Sequence, residues 1–152
     1  MKKIILAILA SAVVPAALVA APPAGNKAIV TAFYEMAFVK HKPTLAARAY
    51  LSDHYIQHNP HVPNGIAPFI GYFEQYFRTH PTASSRIYRV IAEDDLVVIH
   101  SHAKENPQDA GLALIDIFRV DHGKIVEHWD VMQPVVAKTP NGNTMFDGDK
   151  VK

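Results

Sequence analysis

Histidine and carboxylate side chains recur on three successive segments that resemble β-strands. His100 and His102 lie in the first segment, Asp116 lies in the second, and His128 and Asp130 lie in the third. Each segment is rich in β-branched and aromatic residues and is bounded by turn residues. Imidazole and carboxylate groups can exchange protons with a bound molecule, so this combination indicates acid–base chemistry.

Two features predict which side chains of these strands share a face: side chains alternate between the two faces along a strand, and the turns set which residues lie opposite each other. Side chains two residues apart point to the same face of a strand. A three-residue loop at residues 121–123, ending in glycine, predicts that Asp116 faces His128. A symmetric turn at residues 106–109 predicts that His100 faces Asp116. The prediction is therefore one polar face that lines a pocket and contains His100, His102, Asp116, His128 and Asp130.

Hydrophobic spacing predicts that helices precede these strands. Apolar residues three and four apart predict helices over residues 26–40 and 66–79, and a proline begins a shorter helix over residues 43–51. Residues 55–65 contain two prolines, two asparagines and a glycine, which predicts an irregular loop. A further strand is predicted over residues 84–93. Segregated helices and antiparallel strands are typical of the α+β class.

The first 21 residues have the pattern of a secretory signal peptide. Lys2 and Lys3 precede an apolar run over residues 4–21, which ends in small residues. A membrane anchor is the alternative, although Pro15 and the many alanines make this run a poor permanent span. The sequence thus predicts a periplasmic or secreted protein, in which one domain over residues 26–147 follows the signal.

Composition excludes several other classes of protein. The 152 residues suit one domain, and they include no cysteine, so disulfides and lipid attachment through cysteine are excluded. Lysine and arginine total 15 against 14 aspartates and glutamates, without a basic stripe. This balance argues against a nucleic-acid partner, and no membrane contact is expected after signal cleavage.

The order of elements, together with several short motifs, resembles the SnoaL-type polyketide cyclases of the nuclear transport factor 2-like superfamily. The motifs are YIQHNP, VPNG, DIFRV, HGKIVEHWDV and NGNTMF, between residues 55 and 146. The resemblance implies a cone-shaped α+β domain whose curved antiparallel sheet packs on about three N-terminal helices. It also implies an intramolecular aldol closure by acid–base chemistry, without cofactor or metal, on a small hydrophobic carbonyl compound.

The same resemblance implies that Asp130 is the acid–base residue and that nearby histidines assist it. From the residues alone, either Asp130 or Asp116 could act as base, with His128, His102 or His58 as donor or proton relay. A satisfied cross-strand pair of Asp116 and His128 is the structural alternative. The predicted catalytic set is Asp130, His128, Asp116 and His102.

A second group of residues is predicted to contact the bound molecule. His58 and Asn59 lie on the loop that would close the cone, although turn formation and capping would also explain them. His100 belongs to the polar face, and Phe73 and Phe118 are expected in the pocket wall. The predicted binding set is His58, Asn59, His100, Phe73 and Phe118.

The sequence leaves two alternative functions open. A metal-dependent enzyme could use the His100-x-His102 pair with Asp116 and His128, which are ligand types that zinc or iron accepts. A non-catalytic protein could use the same cone to hold a small apolar ligand.

On the opposite face of the sheet, an apolar patch predicts a homodimer. That patch consists of Ile125, Trp129 and Val131.

Overall fold

The computed structural model describes residues 25–146. The predicted signal peptide, residues 1–21, and residue 147 at the end of the predicted domain lie outside the described residues. Export and the domain bounds therefore stay predictions. Within residues 25–146, no helix is long and apolar enough to cross a membrane.

Three helices and five strands make up the described chain. Helix α1 (Asn26–Tyr34) continues as a π-helical segment (Glu35–Val39) and is followed by α2 (Pro43–Tyr50) and α3 (Ile66–Thr79). The strands are β1 (Leu51–Gln57), β2 (Ser84–Glu93), β3 (Leu96–Lys104), β4 (Leu112–Asp121) and β5 (Lys124–Pro134). Helices segregated to one face of a curved sheet confirm the predicted α+β class.

The sheet has the strand order β1-β5-β4-β3-β2 and gains one strand that the sequence did not reveal. Residues 51–57 were expected to end a helix and begin a loop, but they form β1, which pairs in parallel with β5. Leu51 and Tyr55 point into the core and are each 2% exposed, whereas Asp53 between them is exposed. The sheet is therefore mixed, with antiparallel pairing between the other neighbours.

The core lies between the helices and the concave face of the sheet. Phe33 of α1 contacts Phe69 of α3 and Phe118 of β4, with ring centroids 5.7 and 5.8 Å apart. Ile99 and Ile125 are fully buried beneath these rings. Each such side chain contributes about 1.5–3 kcal/mol by leaving water. This packing fixes the curvature that leaves room for a cavity at one end of the sheet.

The hairpin between β4 and β5 is tighter than expected. His122 and Gly123 both have positive φ, at 47° and 78°, and form a two-residue loop that pairs Asp121 with Lys124. Two-residue hairpin loops favour this conformation because its twist matches that of the strands. An extra residue, Val126, then bulges from β5, because Val120 pairs with Ile125 and Arg119 pairs with Glu127.

The two-residue loop and the bulge at Val126 change which residues of β4 and β5 lie opposite each other. They do not change which side chains of β5 point toward the cavity side of the sheet. Asp116 lies opposite Asp130, and His128 lies opposite Phe118, so the predicted pairing of Asp116 with His128 is wrong. Because the net displacement is two residues, the same side chains still point into the concave side. Asp116, His128 and Asp130 are thus brought together.

The bulge also places Ile125, which was expected on the outer face of the sheet, on the opposite face. Ile125 is fully buried in the core, so its predicted place beside Trp129 is wrong. Trp129 and Val131 do lie on the outer face, where Val131 is 71% exposed. The predicted homodimer through this face stays a prediction.

Candidate functional site

A cavity of about 750 Å³ opens between helices α1 and α3, the loop that follows β1, and the concave face of the sheet. Phenylalanine and tyrosine rings form a large part of its wall, and both predicted wall residues, Phe73 and Phe118, take part. The aromatic lining includes Phe33, Phe38, Phe69, Phe73, Phe77 and Phe118. One group of polar side chains lies together on the sheet side of the cavity and comprises Gln57, Asn59, Asp116, His128 and Asp130. Further polar residues line the cavity elsewhere, among them Lys104, Glu105 and Asp109.

Asp116 and His128 form a buried pair at this cavity. Oδ1 of Asp116 lies 3.2 Å from Nε2 of His128, and the two side chains are only 7% and 9% exposed. Oδ2 of Asp116 is buried and has no hydrogen-bond partner among the described residues. Burial raises the pKa of the Asp116 carboxyl, and the hydrogen bond with His128 only partly offsets this effect.

Gln57 determines which nitrogen of His128 carries a hydrogen. The backbone N–H of Asn59 donates to Oε1 of Gln57 over 3.0 Å, which identifies this atom as the amide oxygen. Nδ1 of His128 lies 2.8 Å from the same oxygen, and an amide oxygen can only accept. Nδ1 therefore carries a hydrogen. Any further proton on the pair lies between Nε2 of His128 and Oδ1 of Asp116.

Nitrogen NMR of histidine-labelled protein at pH 8 should report this arrangement. We expect Nδ1 of His128 to be bound to hydrogen. His102 provides an internal comparison, because its Nε2 lies 2.7 Å from the carbonyl oxygen of Ala110 and must be the protonated nitrogen there. The substitution Gln57→Leu removes the acceptor for Nδ1 of His128, so hydrogen should then populate both ring nitrogens of His128. The position of the hydrogen on His102 should stay the same. A bare Nδ1 on His128 in the wild type would contradict the assignment.

Asp130 is held by the loop that follows β1. Nδ2 of Asn59 donates to both carboxylate oxygens of Asp130, over 3.0 and 2.7 Å. Oδ1 of Asn59 accepts from the backbone N–H of His61, which fixes the amide orientation. Asp130 also lies directly opposite Asp116, and two like charges in that position repel each other. The nearby Asp130 carboxylate thus adds to the effect of burial in raising the pKa of Asp116.

Two tyrosines at the cavity were not predicted to have a polar role. The hydroxyl of Tyr55 accepts from Nε2 of Gln57 over 3.3 Å, and the hydroxyl of Tyr34 lies 2.7 Å from Oγ of Ser101. Burial raises the pKa of both tyrosines, and the negative charge of Asp116 adds to this effect. Both therefore remain neutral hydroxyl groups.

The sequence held a signal for only some of these residues. Tyr55, Gln57 and Asn59 alternate, so recognition of β1 as a strand would have placed all three on one side. For Tyr34 and Ser101 the pattern gave no sign of contact, because they lie 67 residues apart on different elements.

The prediction that His100 and His102 share the pocket face is wrong. His100 lies opposite Ile115 rather than Asp116, so both histidines point to the outer face of the sheet. There the ring of Phe146 stacks on His102 with centroids 4.3 Å apart. Partial burial and the neighbouring Arg89 lower the pKa of His100. The metal-ligand set built on these two histidines is excluded by this geometry.

The one-residue displacement of β3 against β4 comes from where the turn is centred. Ala103 pairs with Leu112 and His100 pairs with Ile115, so the connection is symmetric about residues 106–109 and its centre lies between residues 107 and 108. The expected pairing of His100 with Asp116 would require a centre at residue 108. Gly111 has φ 86°, and a Cβ atom there would lie 2.3 Å from the carbonyl oxygen of Ala103. Only glycine fits this position, and the resulting register moves every β3 side chain to the face opposite the predicted one.

His58 also lies outside the cavity, although its neighbour Asn59 lines it. The imidazole of His58 stacks on Trp129 with centroids 4.7 Å apart and an interplanar angle of 2°. Its Nε2 lies 2.7 Å from Oε1 of Glu127, and this contact helps lower the pKa of Glu127. The predicted position of His58 at the pocket mouth is therefore wrong.

The cavity residues also include one group with suitable atoms for a metal ion. Ligand atoms of Asp116, His128 and Asp130 lie within 4.8 Å of one another. Both oxygens of Asp130 already accept hydrogen bonds from Asn59, and Asp116 already contacts His128. Among these ligand atoms, Oδ2 of Asp116 is the one that has no hydrogen-bond partner within residues 25–146.

The family described as "SnoaL-like domain" matches residues 30–128, about two thirds of the chain. The chain therefore belongs to the SnoaL-like domain family, and membership indicates that it binds a small molecule or cyclises one. No curated protein matches the chain significantly.

Solved structures with this fold agree with that assignment. TsrD from Streptomyces laurentii is 24% identical, with a TM-score of 0.57 over 69% of this chain and 88% of its own. A candidate polyketide cyclase from Bacillus cereus is 18% identical, with a TM-score of 0.60 over 70% and 74%. Wild-type IdmH, a candidate polyketide cyclase from Streptomyces antibioticus, is 17% identical, with a TM-score of 0.57 over 70% and 91%. At these identities the similarity establishes the fold.

Proposed function

We propose that this chain is an exported acid–base enzyme of the aldol cyclase or isomerase type, acting on a small hydrophobic molecule that contains a carbonyl group. One observation carries the proposal: a buried carboxyl–imidazole pair lies beside a second, hydrogen-bonded carboxylate in an aromatic cavity. Simple binding of an apolar ligand needs few titratable groups, so this concentration favours catalysis. Export rests on the pattern of residues 1–21.

In this proposal Asp130 removes a proton from the carbon next to the carbonyl group. The two hydrogen bonds from Asn59 hold the carboxylate in one orientation toward the cavity. Removal of the proton produces an enolate, whose carbon then attacks a second carbonyl or is reprotonated elsewhere. The largely buried Asp116–His128 pair shares a proton and can return it to the product.

The aromatic wall sets the class of substrate. Phe38, Phe69 and Phe73 form a continuous cluster with centroids 4.9–6.1 Å apart. Such rings favour flat, apolar molecules, on which they gain area as well as ring–ring contact. Family membership and the candidate polyketide cyclases among the similar structures support a cyclisable polyketone-like compound.

Hydrogen–deuterium exchange tests the proposal without the natural substrate. The purified protein is incubated in D2O with a panel of enolisable aromatic ketones, such as 1-tetralone, and proton NMR follows the signal next to the carbonyl group. We expect exchange faster than in buffer containing the same concentration of free imidazole and acetate. Saturable binding without any exchange across the panel would instead establish the non-catalytic binding function.

A further inference from the structure

We infer that Tyr55, oriented by Gln57, forms a subsite that binds an acceptor oxygen of the ligand, such as a carbonyl or enolate oxygen. This inference deepens the proposed function, because it names where the oxygen of the substrate is held. It depends on hydrogen-bond geometry rather than on catalysis. Binding at this subsite can therefore be measured even if no reaction takes place.

The direction of the hydrogen bond between Gln57 and Tyr55 is fixed by the surrounding network. Oε1 of Gln57 accepts from the backbone N–H of Asn59 and from Nδ1 of His128. The opposite end of the same amide is therefore the NH2 group, which can only donate, and it faces the hydroxyl of Tyr55 at 3.3 Å. Tyr55 accepts this bond, so its own hydrogen is available for another partner.

No acceptor for that hydrogen occurs in the part of the chain that the structure describes. Gln57 provides the hydroxyl's one hydrogen bond within residues 25–146, and the tyrosine is only 2% exposed. A buried donor without an acceptor destabilises the protein, and an acceptor brought by a ligand would remove that penalty. Because Tyr55 lines the cavity, a ligand inside the cavity can approach it.

Burial and nearby negative charges keep the Tyr55 hydroxyl protonated, so that it can donate a hydrogen bond. Burial raises the pKa of Tyr55, and the negative charges of Asp116 and Asp130 raise it further. The group therefore stays protonated over the whole working range of pH. A neutral donor beside the base is the arrangement that stabilises an oxyanion as it forms. It also rejects a molecule of the same shape that lacks the oxygen, because the donor is then left unpaired.

A pair of probes that share one skeleton tests the subsite. 1-Tetralone carries a carbonyl oxygen and tetralin lacks it, and NMR titration of the protein gives the Kd of each. We expect the wild type to bind the ketone about five- to tenfold more tightly than the hydrocarbon. Tyr55→Phe should remove this preference and leave the affinity for tetralin unchanged.

Two further variants separate the hydrogen bond from general packing. Gln57→Glu offers a carboxylate in place of the NH2 group, so at pH 8 Tyr55 should donate to it and the ketone preference should disappear although the tyrosine remains. Tyr72→Phe is the matched control, because Tyr72 also lines the cavity but is 55% exposed, and its ring packs against Phe73 and Tyr76. It should keep the full preference.

Other outcomes would overturn the inference. An equal loss of affinity for both probes in Tyr55→Phe would show a purely structural role, and an unchanged preference would place the oxygen elsewhere. If the wild type prefers the ketone but exchanges none of its protons in D2O, the subsite stands and the proposed catalysis fails. Exchange without any preference for the ketone in binding would support the catalysis and overturn the subsite.

Discussion

Asp130→Asn should reduce the exchange of ketone protons by about 10²- to 10⁴-fold, the usual contribution of a positioned base. The amide has nearly the same shape as the carboxylate, and its oxygen can still accept a hydrogen bond from Asn59. It cannot take up a proton from carbon, so the chemical step is lost. Exchange rates of wild type and variant, measured by NMR at the same ketone saturation, give the effect.

The matched control for this loss is Asp53→Asn. Asp53 lies on β1 outside the cavity and is exposed, so the same chemical change there should leave exchange within about twofold of the wild type. Thermal unfolding of both variants excludes a folding defect as the cause. Exchange that survives in Asp130→Asn would remove this residue as the base and leave Asp116 as the other predicted candidate.

Asp116→Asn should stabilise the folded protein at pH 8. The folded-state pKa of Asp116 is raised above its unfolded value, so its contribution to stability is fully present below the unfolded pKa and is lost as the pH rises through the folded pKa. Each unit of such a difference corresponds to about 1.4 kcal/mol. The amide does not ionise and escapes this loss, and its NH2 group can donate to Nε2 of His128.

Thermal denaturation at several pH values tests the sign of this effect. We expect the Tm advantage of Asp116→Asn to be largest at pH 8 and to vanish as the pH falls toward 4. Asp109→Asn is a control of opposite sign, since hydrogen bonds from the N–H groups of Glu105 and Gly111 lower the pKa of Asp109. That variant should be less stable than the wild type at pH 8, with a difference that closes in acid. A destabilised Asp116→Asn at pH 8 would contradict the argument.

These two carboxylates also show why part of the site was predictable. Asp116 and Asp130 were correctly placed on one face, although Asp116 was expected to lie opposite His128 and lies opposite Asp130. The tight turn and the bulge at Val126 together shift β5 by two residues, and alternation is insensitive to an even shift. The helices and four of the strands could also be predicted. Apolar spacing indicated the two longer helices, a proline marked the start of α2, and β-branched and aromatic runs between turns indicated the strands.

The failures arose at the connections between elements. A turn centred between residues 107 and 108 pairs His100 with Ile115, whereas the expected pairing with Asp116 placed the centre at residue 108. An error of one residue exchanges the two faces of a strand, so His100 and His102 lie on the outer face. Strand β1 was missed because it directly follows a helix and runs into a proline-rich loop, and with it the roles of Tyr55 and Gln57 were missed.

His58 and Asn59 are neighbours in the chain that serve opposite sides of the protein. His58 is held outside by Trp129 and Glu127, while Asn59 reaches inside to the base. The imidazole–indole stack thus sets the position of the peptide from which the amide extends. Trp129 and Glu127 lie on the outer face of the sheet, yet through His58 they help to position the residue that holds Asp130. We therefore expect a substitution of Glu127 to alter the orientation of a carboxylate on the other side of the sheet.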